Sequence, residues 1–146
     1  MPNLQDLQAA LEEFNTQYPR PNMDKLLLSD EYNILKDFRS HYPYAEYPGV
    51  YAIFNFSGEL LRLGKSSCNS TLGVRLSTYY KWDKVEYIGV PKHIGYEDVI
   101  IIRTIKFPKD RAFEAPALEE FLIGKLNPRF NTLGRKKHSD EANCAV

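Results

Sequence analysis

Tyr51, Lys65, Arg75 and Glu119, in a chain of 146 residues, combine side-chain types that phosphodiester hydrolysis could use. That reaction needs an activated water, charge stabilisation on the phosphate and help for the leaving oxygen, and one divalent ion held by a carboxylate can supply the last two. Mg²⁺ takes one or two carboxylates plus waters and phosphate oxygens in preference to a complete protein cage. A single glutamate on a rigid helix beside cations is therefore a sufficient anchor. Arg75 offers a guanidinium fork that stays charged and matches phosphate geometry, suited to the charge that grows on the phosphate oxygens. A phenol titrates near pH 10, so Tyr51 serves as a general base only where neighbouring cations lower that value; Lys65, Arg75, a metal and Arg62 are the candidates for doing so. Lys65 could also orient the water or neutralise the phosphate. Each residue keeps an ordinary alternative. Tyr51 could be a core aromatic among 10 tyrosines, Arg75 a surface residue, and Glu119 one half of a salt bridge.

The elements that must position these groups can be read from period and punctuation. Leu4, Leu7, Leu11 and Phe14 recur at helical intervals over residues 4–16, predicting a first helix. After "YPRPN", Leu26, Leu27, Tyr32, Ile34, Leu35 and Phe38 predict a second helix over Met23 to Arg39. "PGVYAIFNFSGELLRLGKS", from Pro48 to Ser66, holds two β-rich runs, Val50 to Phe56 and Glu59 to Leu63, joined at Ser57-Gly58, a hairpin signal. "TLGVRLSTYYKW" reads as a short helix with Leu72, Leu76 and Tyr79 on one face. "DVIIIRTIKF", from Asp98, is apolar enough for a strand covered on both faces. Glu114 to Leu126 is a closing helix stopped by Asn127-Pro128. On that helix Ala117, Leu118, Phe121, Leu122 and Leu126 form an apolar arc, with Glu119 at its edge and Glu120 opposite. A carboxylate at the rim of a buried face needs a partner or a metal.

The order Gly49-Val50-Tyr51, hairpin, Gly64-Lys65, helix with Arg75, strand, helix with Glu119, then Pro128-x-x-Asn131 resembles the GIY-YIG endonuclease family. The resemblance runs from about Pro48 to Asn131. In that family the second tripeptide follows the first by about ten residues; here its slot holds Arg62-Leu63-Gly64. Tyr87-Ile88-Gly89 lies after the Arg75 helix and is a decoy. The resemblance implies Glu119 as ligand of Mg²⁺ or Mn²⁺, Tyr51 as the water-activating base, and Lys65 and Arg75 as phosphate-binding and catalytic groups. It implies Gly49, Gly64 and Asn131 as structural support. Arg62 departs from the pattern: it either adds a phosphate contact or marks a weak or inactive site. The expected fold is α/β, a small three-stranded antiparallel sheet flanked by helices. A helical N-terminal extension (1–46) precedes the nuclease-like domain (47–133), and a polar tail (134–146) follows.

Charge is distributed to match. Residues 1–46 hold 4 Lys/Arg and 8 Asp/Glu, a net of −4, whereas residues 47–137 hold 15 and 9, a net of +6. A basic middle points to a polyanion partner, and the resemblance names nucleic acid, DNA first. The acidic residues 1–46 are a candidate surface for a protein partner, for self-association, or for covering the basic module. "TYYKWDK" and "RFNTLGRKK" could track a nucleic-acid backbone. Cys68 and Cys144 form no metal-ligand spacing, and "MPNLQDLQAALEEF" lacks the apolar core of a secretory signal. A cytoplasmic chain with no membrane partner is expected. His41, His93 and His138 fall outside the motifs. The leading reading is a metal-dependent DNA endonuclease; the alternative is a nucleic-acid- or protein-binding module of the same fold that cuts weakly or not at all.

Overall fold

The computed structural model describes residues 1–83, 88–92 and 99–131. Helix α1 (Leu4–Gln17) starts where Asn3 and Asp6 cap each other, the Asn3 side chain accepting the Asp6 N–H at 3.0 Å and Asp6 accepting the Asn3 N–H at 2.9 Å. This reciprocal box satisfies N–H groups that a helix start leaves open. Strand β1 (Tyr32–Asn33) is short; β2 (Gly49–Asn55) and β3 (Leu60–Ser66) form a hairpin. Its turn contains Gly58 at φ 92, a backbone conformation glycine adopts without steric cost. Helix α2 (Leu72–Leu76) leads to β4 (Tyr80–Asp83), which pairs antiparallel with β5 (Ile88–Pro91). Strand β6 (Val99–Lys106), a 3-10 helix (Lys109–Glu114) and α3 (Ala115–Leu126) complete the order.

The main sheet has four strands in the order β1-β6-β2-β3, every pairing antiparallel. All seven residues of β2 are buried because both faces are covered. Val50, Ala52 and Phe54 pack with Leu7, Leu11 and Phe14 of α1 and Leu118 and Leu122 of α3. Tyr51 and Ile53 face Leu72, Leu76, Tyr79 and Ile34. The first 46 residues are built into this body: Pro2 accepts a 2.8 Å hydrogen bond from Leu60 of β3, and Arg20 pairs with Glu114 while lying 4.7 Å from the Phe14 ring.

Three expectations need correcting. The sheet is four-stranded, because β1 adds a strand beside β6. Met23 to Arg39 is not a helix: Leu26 enters the α1–α3 core while Tyr32 and Ile34 enter the core on the opposite face, and one helix cannot serve both. The backbone is bonded elsewhere, Ser29 N to Thr104 O at 2.8 Å, Thr104 N to Ser29 Oγ at 2.9 Å, and Leu35 N and Lys36 N to Asn33 Oδ1 at 2.8 and 3.1 Å. The helix read into "TLGVRLSTYYKW" ends at Leu76. Ser77 and Thr78 turn their hydroxyls onto the Gly73 and Arg75 carbonyls, and the aromatic residues beyond continue as β4. Tyr87, His93, His138 and the tail lie outside the described residues. Among the described residues no helix is long and apolar enough to cross a membrane.

Strand β3 is the sheet edge, and Asn131 covers it. Its Nδ2 donates to Leu63 O at 2.9 Å and its Oδ1 accepts from Leu63 N at 2.8 Å, the bonds that another strand would make. Asn131→Ala leaves both groups of Leu63 without these partners and is expected to cost about 1–3 kcal/mol. Urea unfolding checks this; an unchanged midpoint would show that water replaces the amide without penalty.

Candidate active site

The ring of Tyr51 lies across the backbone of Gly64, its partner in the strand register. A Cβ on Gly64 would sit 2.1 Å from the phenol oxygen and from the ring carbon bearing it, so no side chain fits there with Tyr51 in place. Gly49 is required for a different reason, since a Cβ there would lie 2.0 Å from the Ile105 carbonyl oxygen of β6. The two glycines thus allow close approach of different neighbours, the Tyr51 ring at Gly64 and the β6 backbone at Gly49.

From that position the Tyr51 hydroxyl meets the Tyr79 hydroxyl at 2.8 Å, and the rings pack edge to face with centroids 5.6 Å apart. Arg62 Nε donates to the same Tyr79 oxygen at 2.9 Å, and an Arg62 terminal nitrogen donates to the Phe130 carbonyl at 3.4 Å. Arg62 therefore ties the aromatic pair to the turn that carries Asn131. The sequence placed Tyr79 only on the apolar face of a helix. The signal that singles it out is chemical, since a tyrosine on an apolar stripe must find a partner for its hydroxyl once buried.

Burial raises the Tyr51 phenol well above its ordinary range, and Tyr79 adds to the rise through its charge and its hydrogen bond. Arg62 and Arg75 pull the other way without overcoming it. The expected lowering by cations is present in sign and outweighed by desolvation. The side chain is 0% exposed and protonated at neutral pH.

Glu119 projects from α3 at the rim of the buried face, half-buried, while Glu120 is exposed. That is the division read from the helical period, although Ala117, placed in the apolar arc, is exposed. Among the described residues Glu119 makes no hydrogen bond and no ion pair. Burial raises its carboxyl above the usual carboxylate value; Lys65, then Arg62 and Arg75, oppose this, and Glu120 adds to it. One carboxylate thus stands in the field of three cations drawn from β3 and α2. Lys65 is half-buried and Arg75 exposed, and neither has an ion-pair partner among the described residues. The Ser66 hydroxyl, beside Lys65 in sequence, is buried and without a hydrogen-bond partner among them.

The carboxylate can be tested as a metal anchor on its own chemistry. It is held on a rigid helix, its oxygens are not spent on protein donors, and it stands beside cations that can receive phosphate oxygens. These features fit a divalent ion that keeps most of its waters. No group of three or more His, Cys, Asp or Glu that could hold a metal occurs among the described residues, so Glu119 would be a solitary protein ligand. Comparison of the chain with known protein families, with curated proteins and with solved structures finds no match.

Because the folded-state pKa of Glu119 lies above its unfolded value, the native state holds that proton more tightly, and stability falls as pH rises through this interval. Glu119→Gln removes the ionised form and is expected to raise the unfolding midpoint at pH 7 by a few degrees, with little change at pH 4. Thermal melts at both values check it; a clear loss of stability at pH 7 would mean that the carboxylate is a structural partner. Gly64→Ala is expected to push Tyr51 out of its place and to lower stability, and a crystal structure with the ring unmoved would contradict that.

Proposed function

We propose that the chain is a metal-dependent endonuclease of the GIY-YIG type that hydrolyses phosphodiester bonds in DNA. The observation that carries this reading is Glu119 itself: a half-buried carboxylate without a protein partner, kept on a rigid helix in the field of Lys65, Arg62 and Arg75. A structural ion pair would bring one cation into contact with it; an arrangement for binding phosphate leaves Lys65 and Arg75 near the carboxylate without an ion-pair partner among the described residues.

In this reading Arg75 and Lys65 take the non-bridging oxygens of the scissile phosphate, Arg75 from the exposed side of α2 and Lys65 from the edge strand. Their charges oppose the charge that builds up on those oxygens during attack. A divalent ion on Glu119 would polarise the phosphate and stabilise the leaving oxygen. The water proton goes to the tyrosine pair in the small fraction of molecules whose pair has already lost one phenol proton, the form that becomes more populated as pH rises. Tyr79 holds the end of the pair next to a fixed cation, through its 2.9 Å bond from Arg62, and Tyr51 stands behind it. Arg62 then orients the pair, with nitrogens engaged by Tyr79 and Phe130, and need not imitate the tyrosine whose slot it fills.

A second reading, a binding module of this fold that does not cut, is favoured by one observation. The Tyr51 side chain is 0% exposed and that of Tyr79 only 7%, whereas a base must reach the water it activates. Plasmid nicking with Mg²⁺ or Mn²⁺, with EDTA, and with Glu119→Ala separates the two. The nuclease reading expects metal-dependent nicking that falls at least about 100-fold in the variant. Intact protein that binds DNA and does not nick it under any of these conditions supports the binding module.

The pH profile supplies a second check. Glu119 must be ionised to hold the ion, so at sub-saturating metal activity is expected to fall on the acid side at a pH above the ordinary glutamate value of about 4.3, and this limb to move to lower pH as the metal concentration is raised. Tyr51 is protonated at neutrality, so the rate is expected to keep rising about tenfold per pH unit beyond pH 7. A flat profile from neutral to alkaline pH would exclude the tyrosine pair as proton acceptor.

A further inference from the structure

One exposed cluster outside the site joins lysines to aromatic rings. Lys106, the last residue of β6, places its ammonium 4.7 Å from the centre of the Tyr44 ring and 4.8 Å from that of Tyr47. Lys109 lies 5.7 Å from the Tyr47 ring, and the two rings meet edge to face at 6.3 Å. Neither lysine has an ion-pair partner among the described residues. An aromatic face orients an ammonium without neutralising it, so the charge stays available to an anion. Beside the cluster is a hollow of about 450 Å³, bounded by Tyr44, Tyr47, Lys106 and the segment from Asn22 to Leu27. Asp24 lines part of it, and Leu27, 70% exposed, also lines it.

Tyr44 adds an independent observation. Its φ is 55 and its side chain is 41% exposed. A bulky residue in the left-handed region is strained, and here no core packing requires it. Strain spent on presenting an exposed ring is a reason to look for what the ring meets.

The cluster lies next to the candidate site. Lys106 pairs with Gly49, and Gly49 pairs with Ser66, so two strand spacings, about 10 Å, separate the Lys106 backbone from that of Ser66. Their side chains share the sheet face of Tyr51 and Gly64. The carbonyls of Tyr47 and Ala45 accept the N–H groups of Leu72 and Gly73 at 2.8 and 2.9 Å. The segment bearing the rings is thus fastened to the helix bearing Arg75. About 10 Å is roughly three nucleotide rises along one strand.

We propose that Lys106, Lys109 and the Tyr44–Tyr47 pair bind the sugar-phosphate backbone of a nucleic acid, a few nucleotides from the phosphate held by Lys65 and Arg75. This rests on the cleavage reading for the identity of the polymer. The lysines take phosphates, Tyr47 and Tyr44 fix the position of Lys106, and the open side of Tyr44 with Leu27 gives a sugar or base an apolar surface.

The test is fluorescence anisotropy of the full chain with a short labelled duplex and its separate strand, in EDTA so that cutting does not enter, from about 50 to about 200 mM salt. Lys106→Gln with Lys109→Gln is expected to weaken binding about tenfold and to lower the salt slope by about 0.7–0.9 per lysine, with the unfolding midpoint unchanged. Tyr44→Asn, which suits the left-handed backbone, is expected to hold or raise the midpoint and still weaken binding. Binding by the intact chain with an unaltered slope in the lysine variant would overturn this inference alone. No binding by the intact chain at the lowest salt would overturn both it and the cleavage reading.

Discussion

The contact between the Tyr51 ring and the bare backbone of Gly64 is the constraint from which the rest of the site follows. With a side chain at position 64, Tyr51 could not lie across the edge strand, and its hydroxyl would not reach Tyr79. Arg62 Nε donates to the same Tyr79 oxygen and links the aromatic pair to the Phe130 carbonyl. The same turn carries Asn131, which closes the edge of the sheet at Leu63. The missing Cβ thus lets Tyr51 join a continuous set of contacts that runs through Tyr79 and Arg62 to the turn protecting the sheet edge.

Electrostatics then separates the roles that packing brings together. Desolvation dominates at both Tyr51 and Glu119, and the cations around them reduce its effect without reversing it. A carboxylate held against its preference is a cost that folding alone does not require, whereas a phenol kept protonated at neutral pH is in its ordinary state. At Glu119 the cost is compatible with a site waiting for cationic charge. Tyr51, buried and hydrogen-bonded to Tyr79, organises its neighbours in the free protein. Arg62 fits the same scheme: its nitrogens serve Tyr79 and Phe130, which gives this residue a structural role.

What could be read from the sequence was whatever a single period decides. Leu4, Leu7, Leu11 and Phe14 serve one core, and α1 appears where their spacing puts it. The alternation around Gly58 gave the hairpin, and the helical projection separated Glu119 from Glu120. The segment from Met23 to Arg39 failed because its apolar residues are divided between two cores, a division invisible to a one-face periodicity. Its backbone bonds to Thr104, far along the chain, and β1 joins the sheet only because β6 is there to receive it. Tyr79 was hidden for a related reason: its apolar surroundings were legible, but its hydroxyl partners come from β2 and β3. Motif order gathered Lys65, Arg75 and Glu119, and the structure brings them within electrostatic reach of one another.

The central claim is that Glu119 is a carboxylate held at a cost so that it can take a divalent ion. The most direct measurement is the pH titration of its side-chain carboxyl by carbon-13 NMR in the full chain, without and with Mg²⁺. The account predicts a midpoint above the ordinary glutamate range in the free protein and a marked fall when Mg²⁺ is added. A midpoint in the ordinary range that Mg²⁺ leaves unmoved would contradict it.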